Sequence, residues 1–109
     1  MSTPPTQSIF EIQAEFCKAM GNPTRLQILH MLREHPMTVS EIMQELGKSQ
    51  SMTSRQLSVL RSVGVVSSER NGIEMRYQIT DEKIVEVCDL VRAVLLEQTQ
   101  RQSIALSDL

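Results

Sequence analysis

Residues 38–64 read TVSEIMQELGKSQSMTSRQLSVLRSVG, and their punctuation leaves little choice of local fold. Thr38-Val39-Ser40-Glu41 is a capping box, in which the Thr hydroxyl and the Glu carboxylate each satisfy a backbone N–H that a helix start leaves unpaired. It opens a short helix with Ile42, Met43 and Leu46 facing inward, and Gly47 ends it. Ser49 caps a second helix, over about 50–63, with Met52, Thr53, Leu57, Leu60 and Val63 on its buried side before Gly64. Two helices joined by about three residues around Gly47 have the spacing of a helix-turn-helix.

The second helix is also odd in composition. Six Ser and Thr side chains crowd residues 49–66, although hydroxyls compete with the backbone and Ala, Glu or Lys suit an exposed helix face better. Short polar groups projecting from such a helix are what a surface read by DNA would use.

The flanking segments extend the pattern. Ile9, Ile12, Phe16 and Met20 recur at helical spacing, giving a first helix that ends near Gly21. Asn22-Pro23 starts another, running to about Glu34 with Leu26, Leu29, Met31 and Leu32 apolar, before His35-Pro36 stops it. After Gly64 the period changes. Asn71-Gly72 predicts a type I′ hairpin turn, and Ile73, Met75, Tyr77 and Ile79 alternate with polar residues as in a half-buried strand. Thr80 is the expected cap of a long last helix, with Asp81 and Glu82 favouring its N-terminal dipole. The apolar stripe of that helix, from Ile84 to Leu96, is too wide for a monomer this small, so part of it should face another subunit. The whole reads as one mainly α domain with a β-hairpin wing over residues 1–109, a winged helix, with 1–8 and 100–109 expected to be frayed.

Charge supports a nucleic-acid partner locally. The chain carries −2 overall, yet residues 48–79 hold Lys48, Arg55, Arg61, Arg70 and Arg76 against only Glu69 and Glu74. Screening over roughly 8 Å makes that local excess, more than the total, what DNA would meet. There is no basic n-region with an apolar run and no stretch near the ~18 apolar residues of a membrane span, so a cytoplasmic protein without a membrane partner is expected. Cys17 and Cys88 are then expected as free thiols. No Gly-rich phosphate loop, Ser-His-Asp set or metal-ligand cluster points to an enzyme, and no cofactor is expected.

NPTRLQILHML, VSEIMQELGKSQSMTSRQLSVLRSVGVV and the hairpin ending EMRYQIT resemble the ArsR/SmtB-type bacterial repressors over roughly residues 9–98. The resemblance implies a homodimer built from the first and last helices, bound to a double-stranded, inverted-repeat operator and released by a metal, metalloid or thiol-reactive signal. It makes residues 50–63 the recognition helix. Ser49, Gln50, Ser51, Ser54, Arg55, Gln56 and Ser58 become candidate DNA contacts, with Gln suited to adenine and Arg to guanine edges. Gln56 stands where the family often carries His. On the wing, Arg70, Asn71 and Arg76 are candidates for backbone or minor-groove contacts.

Metal sensors of that family use a Cys pair before the recognition helix or Asp, His and Glu on the last helix. EIMQELGKS has no Cys, and Lys83 and Val94 stand where His would be wanted near Asp81 and Glu97, so neither metal site is expected. That leaves Cys17 on the first helix and Cys88 on the last, elements that should pack together. A thiol switch responding to oxidant or reactive sulfur is the preferred sensing chemistry. Arsenite or another soft ion held by the same two thiols is the alternative, and a winged helix that binds only proteins is the non-DNA alternative.

Overall fold

The structure is a computed structural model in which residues 7–101 are described. Its elements follow the order α1 (Ile9–Met20), α2 (Pro23–Leu32), β1 (Met37–Thr38), α3 (Val39–Leu46), α4 (Gln50–Ser62), β2 (Val66–Asn71), β3 (Glu74–Ile79) and α5 (Glu82–Arg101). Of the segments expected to be frayed, residues 1–6 and 102–109 lie outside the described residues. Ser8 is the N-cap of α1 in a capping box with Glu11, and residues 100 and 101 continue α5.

The local signals around the helix-turn-helix are all realised. Asn22 Oδ1 accepts the Arg25 N–H (3.1 Å) with Pro23 at the first helical position. Thr38 and Glu41 form the reciprocal box at 3.3 and 2.8 Å. The Thr38 N–H bond to Glu41 is the main reason its carboxyl is held below the usual range. Gly47 adopts φ 69°, its N–H donating to the Met43 carbonyl, and Ser49 Oγ accepts the Met52 N–H at 3.2 Å. The left-handed conformation at Gly47 sets the angle between α3 and α4. A Cβ there would meet nothing within 4 Å, so Gly47→Ala is expected to cost only the backbone penalty of about 1–2 kcal/mol. The midpoint of urea unfolding measures that loss; an unchanged midpoint would mean the turn adapts.

The core joins α2, α3, α4 and the root of the sheet: Ile28, Leu29, Leu32, Met37, Ile42, Leu57, Leu60, Val65 and Val66 are buried. Three expectations need correction here. Ile28, absent from the anticipated apolar set of α2, is fully buried, while Leu26 is 37% exposed. The second helix stops at Leu32, ahead of the expected Glu34. Thr80 does not cap α5, because its hydroxyl donates to the Gly64 carbonyl (2.7 Å) and its N–H to the Val65 carbonyl. Asp81 takes that place, accepting the Lys83 N–H at 2.9 Å.

The wing differs by one residue and by one strand. The sheet is antiparallel in the order β1-β3-β2, and β1, unforeseen, pairs Met37 with Tyr77 and Thr38 with Arg76. Asn71 pairs with Glu74, so the two turn residues are Gly72 (φ 67°) and Ile73 in place of Asn71-Gly72. Ile73 accordingly stands 95% exposed at the wing tip, outside the strand it was expected to begin.

Candidate nucleic-acid interface

The recognition helix α4 is divided sharply by burial. Thr53, Leu57 and Leu60 are fully buried against α2 and α3, while Gln50, Ser51, Arg55 and Ser58 are exposed and Ser54 is half-exposed. The exposed residues begin at the helix N-terminus and recur at helical spacing, so they share one outward face. Ser49 adjoins them, its hydroxyl occupied in capping Met52 and lying 3.4 Å from that of Ser51. Small side chains over the first two turns leave the backbone free to approach a groove, and Arg55 supplies a planar cationic fork within that face.

Gln56 does not belong to this face. It is 8% exposed, its Oε1 accepts from Arg25 Nη1 at 2.7 Å, and its Nε2 donates to Met52 Sδ at 3.6 Å. The pattern of hydroxyls around it hid the inward turn, because its partner lies on α2, 31 residues away in sequence.

Arg70 and Asn71 are exposed at the end of β2, next to the wing turn. Arg76 is set further back, half-buried on the central strand between Glu69 on β2 and Thr38 on β1. Two contacts fix the wing relative to the helices. Arg61 Nη1 donates to Ser68 Oγ at 2.9 Å, tying the end of α4 to β2, and Ser40 Oγ donates to Glu74 Oε1 at 2.6 Å, tying α3 to β3. Both anchors involve side chains that sequence patterning leaves as ordinary exposed residues.

Cys17 and Cys88 line one apolar cavity of about 340 Å³ between α1, α2 and α5, with Phe16, Met20, Val91 and Leu95. Cys17 is exposed and Cys88 half-buried. Burial pushes the Cys88 thiol up, opposed by Arg92 and reinforced by Asp89. Asp89 itself accepts from Arg92 (2.9 Å) and lies 3.4 Å from Arg33, so it links α5 to α2. Asp81 caps α5, and Glu97 lies 3.9 Å from Arg101. Among the described residues no three His, Cys, Asp or Glu side chains come together as a metal site.

Residues 22–68 match the bacterial regulatory protein, arsR family. An "Uncharacterized HTH-type transcriptional regulator" of Mycobacterium tuberculosis (strain ATCC 25618 / H37Rv) is 34% identical over 105 residues, spanning 95% of this chain and 92% of the relative. Its crystal structure superposes with a TM-score of 0.80 at 33% identity, over 90% of this chain and 99% of that one. The solution structure of a homodimeric winged helix-turn-helix DNA-binding domain from Mycobacterium bovis gives a TM-score of 0.79 at 29% identity, over 90% and 95% of the two chains. A "Probable mercury resistance operon repressor" of Streptomyces lividans is 33% identical over 81 residues, 74% of this chain and 65% of the relative.

Proposed function

Because this chain belongs to the arsR family of bacterial regulatory proteins, whose members are transcriptional regulators, we propose that it is a dimeric repressor released from its operator by thiol chemistry at Cys17 and Cys88. The observation that carries the sensing half is that both cysteines line the same apolar cavity. DNA reading falls to Gln50, Ser51, Ser54, Arg55 and Ser58 on α4, and backbone or minor-groove contact to Ser49, Arg70, Asn71 and Arg76. The dimer forms through α1 and α5, whose Ile9, Phe10, Ile12, Val87, Leu90 and Leu95 are about half or more exposed in the single chain. A two-fold dimer of this kind calls for an inverted-repeat site.

The switch needs an oxidant of the peroxide or polysulfide class. Peroxide converts one thiol to a sulfenic acid and releases water; the second thiol then displaces a second water and closes the S–S bond. A disulfide demands Cα atoms within about 7 Å, so its formation holds α1 and α5 in one spacing and, through the dimer, respaces the two recognition helices. A soft ion on the same thiols is the second reading, favoured by the relative named for mercury resistance. With two sulfurs per chain it would be a two-thiolate site unless the dimer pools four.

The test uses duplexes enriched by the reduced protein from a randomised pool. Binding should fall steeply and log-linearly with salt. Peroxide or polysulfide should release the wild type, while Cys17→Ser and Cys88→Ser bind equally well and stay bound. Release by mercury(II) or arsenite alone would select the second reading. Release that persists in both single variants would end the thiol assignment, and absence of salt-dependent binding to any duplex would favour a protein-only adaptor.

A further inference from the structure

We infer that Arg25 is a positioning residue for DNA recognition, seating α4 against the C-terminal end of α1 through Gln56; the inference rests on the proposed DNA-binding role. Arg25, half-buried near the start of α2, spreads its guanidinium over two helices. Its Nε donates to the Ala19 carbonyl at 2.6 Å and Nη2 reaches the Lys18 carbonyl at 3.5 Å, both in the last turn of α1, where the Lys18 carbonyl also accepts the Gly21 N–H. Its Nη1 donates to Gln56 Oε1 at 2.7 Å, in the middle of the recognition helix.

What surrounds this strut gives it its importance. Between α1 and the rear of α4 lies an open cleft of about 810 Å³, lined by Ile12, Phe16, Ala19, Val59, Val63 and Arg25 itself. The two helices therefore lack close apolar packing along that side, so beyond the core contacts of Thr53, Leu57 and Leu60 little there opposes small shifts of α4. A planar, permanently charged fork with three directed hydrogen bonds resists such motion in a way that a lysine cannot. The geometry also gives α1, which carries Cys17 one residue from Lys18, a direct mechanical path to the helix that reads DNA.

Gln56→Leu removes the acceptor while leaving Arg25 its bonds to α1, and Arg25→Met removes the donor. Each is expected to weaken binding to the enriched duplex about tenfold, with little change toward an unrelated duplex at the same salt, because phosphate contacts tolerate a loosened helix better than base contacts do. Combining the two should cost no more than either alone, since both break one link. Gln56→Glu, whose carboxylate accepts from Arg25, should restore wild-type affinity and specificity. In the DNA-free protein, amide exchange should quicken across residues 50–62 in Gln56→Leu and not across α3. Additive losses, equal losses on both duplexes, no rescue by Glu, or unchanged exchange in α4 would each overturn the positioning role. If the wild type binds no duplex, the DNA-binding reading fails, and the exchange measurement still decides whether Arg25 holds α4.

Discussion

Leu57→Ala is expected to lower the free energy of unfolding by about 2–5 kcal/mol. Leu57 is fully buried in the middle of α4, within the cluster that also holds Ile28, Ile42 and Leu60. Truncation removes the transfer free energy of the lost methyl groups and leaves a void that α2 and α3 close only in part. A domain of this size has only about 5–15 kcal/mol to lose, so the change takes a large share of it. Ser58→Ala, one position on and facing outward, should stay within about 0.5 kcal/mol. Urea unfolding of the two variants gives the comparison directly. A loss below about 1 kcal/mol for Leu57→Ala would mean that α4 is seated mainly by its polar ties.

Arg55→Ala is expected to weaken binding to the enriched duplex by about 1–3 kcal/mol and to relax sequence preference at one base pair. Among the described residues the Arg55 guanidinium has no hydrogen-bond or ion-pair partner, which sets it apart from Arg25, Arg33, Arg61 and Arg92. Its five donors are free to form a bidentate contact with a guanine edge. Comparing affinities across single-base variants of the duplex separates this from a general electrostatic effect. A uniform loss on every sequence, accompanied by a shallower salt slope, would make Arg55 a phosphate contact. No loss at all would remove it from the interface.

What could be read before folding, and what could not, divides along the range of the interaction. Helix starts and stops were legible because each is decided within four residues: Asn22-Pro23, Thr38 with Glu41, Gly47, and Ser49 with Met52. Helical period gave the buried side of α4, and the family resemblance gave its outward contacts, Gln56 excepted. Gln56 was misassigned because its burial depends on Arg25, and nothing near it in sequence announces that bond. Thr80 looked like a cap by type, and its hydroxyl was instead drawn to the Gly64 carbonyl across the fold. The wing shifted by one residue because Asn71-Gly72 and Gly72-Ile73 are both plausible turns, and cross-strand pairing of Asn71 with Glu74 decided between them. A strand of two residues, β1, has no period to detect.

The order β1-β3-β2 has a further consequence for the company the molecule keeps. A sheet invites unwanted partners along its outer strands, where backbone donors and acceptors are left facing solvent. Here one outer strand offers two residues, and the other, VSSERN, carries Glu69 and Arg70 along its exposed half. Neither margin can template a growing ribbon of chains. In a two-fold pairing through the proposed α1 and α5 face, each copy's apolar patch would cover the other's and leave nothing over for a third.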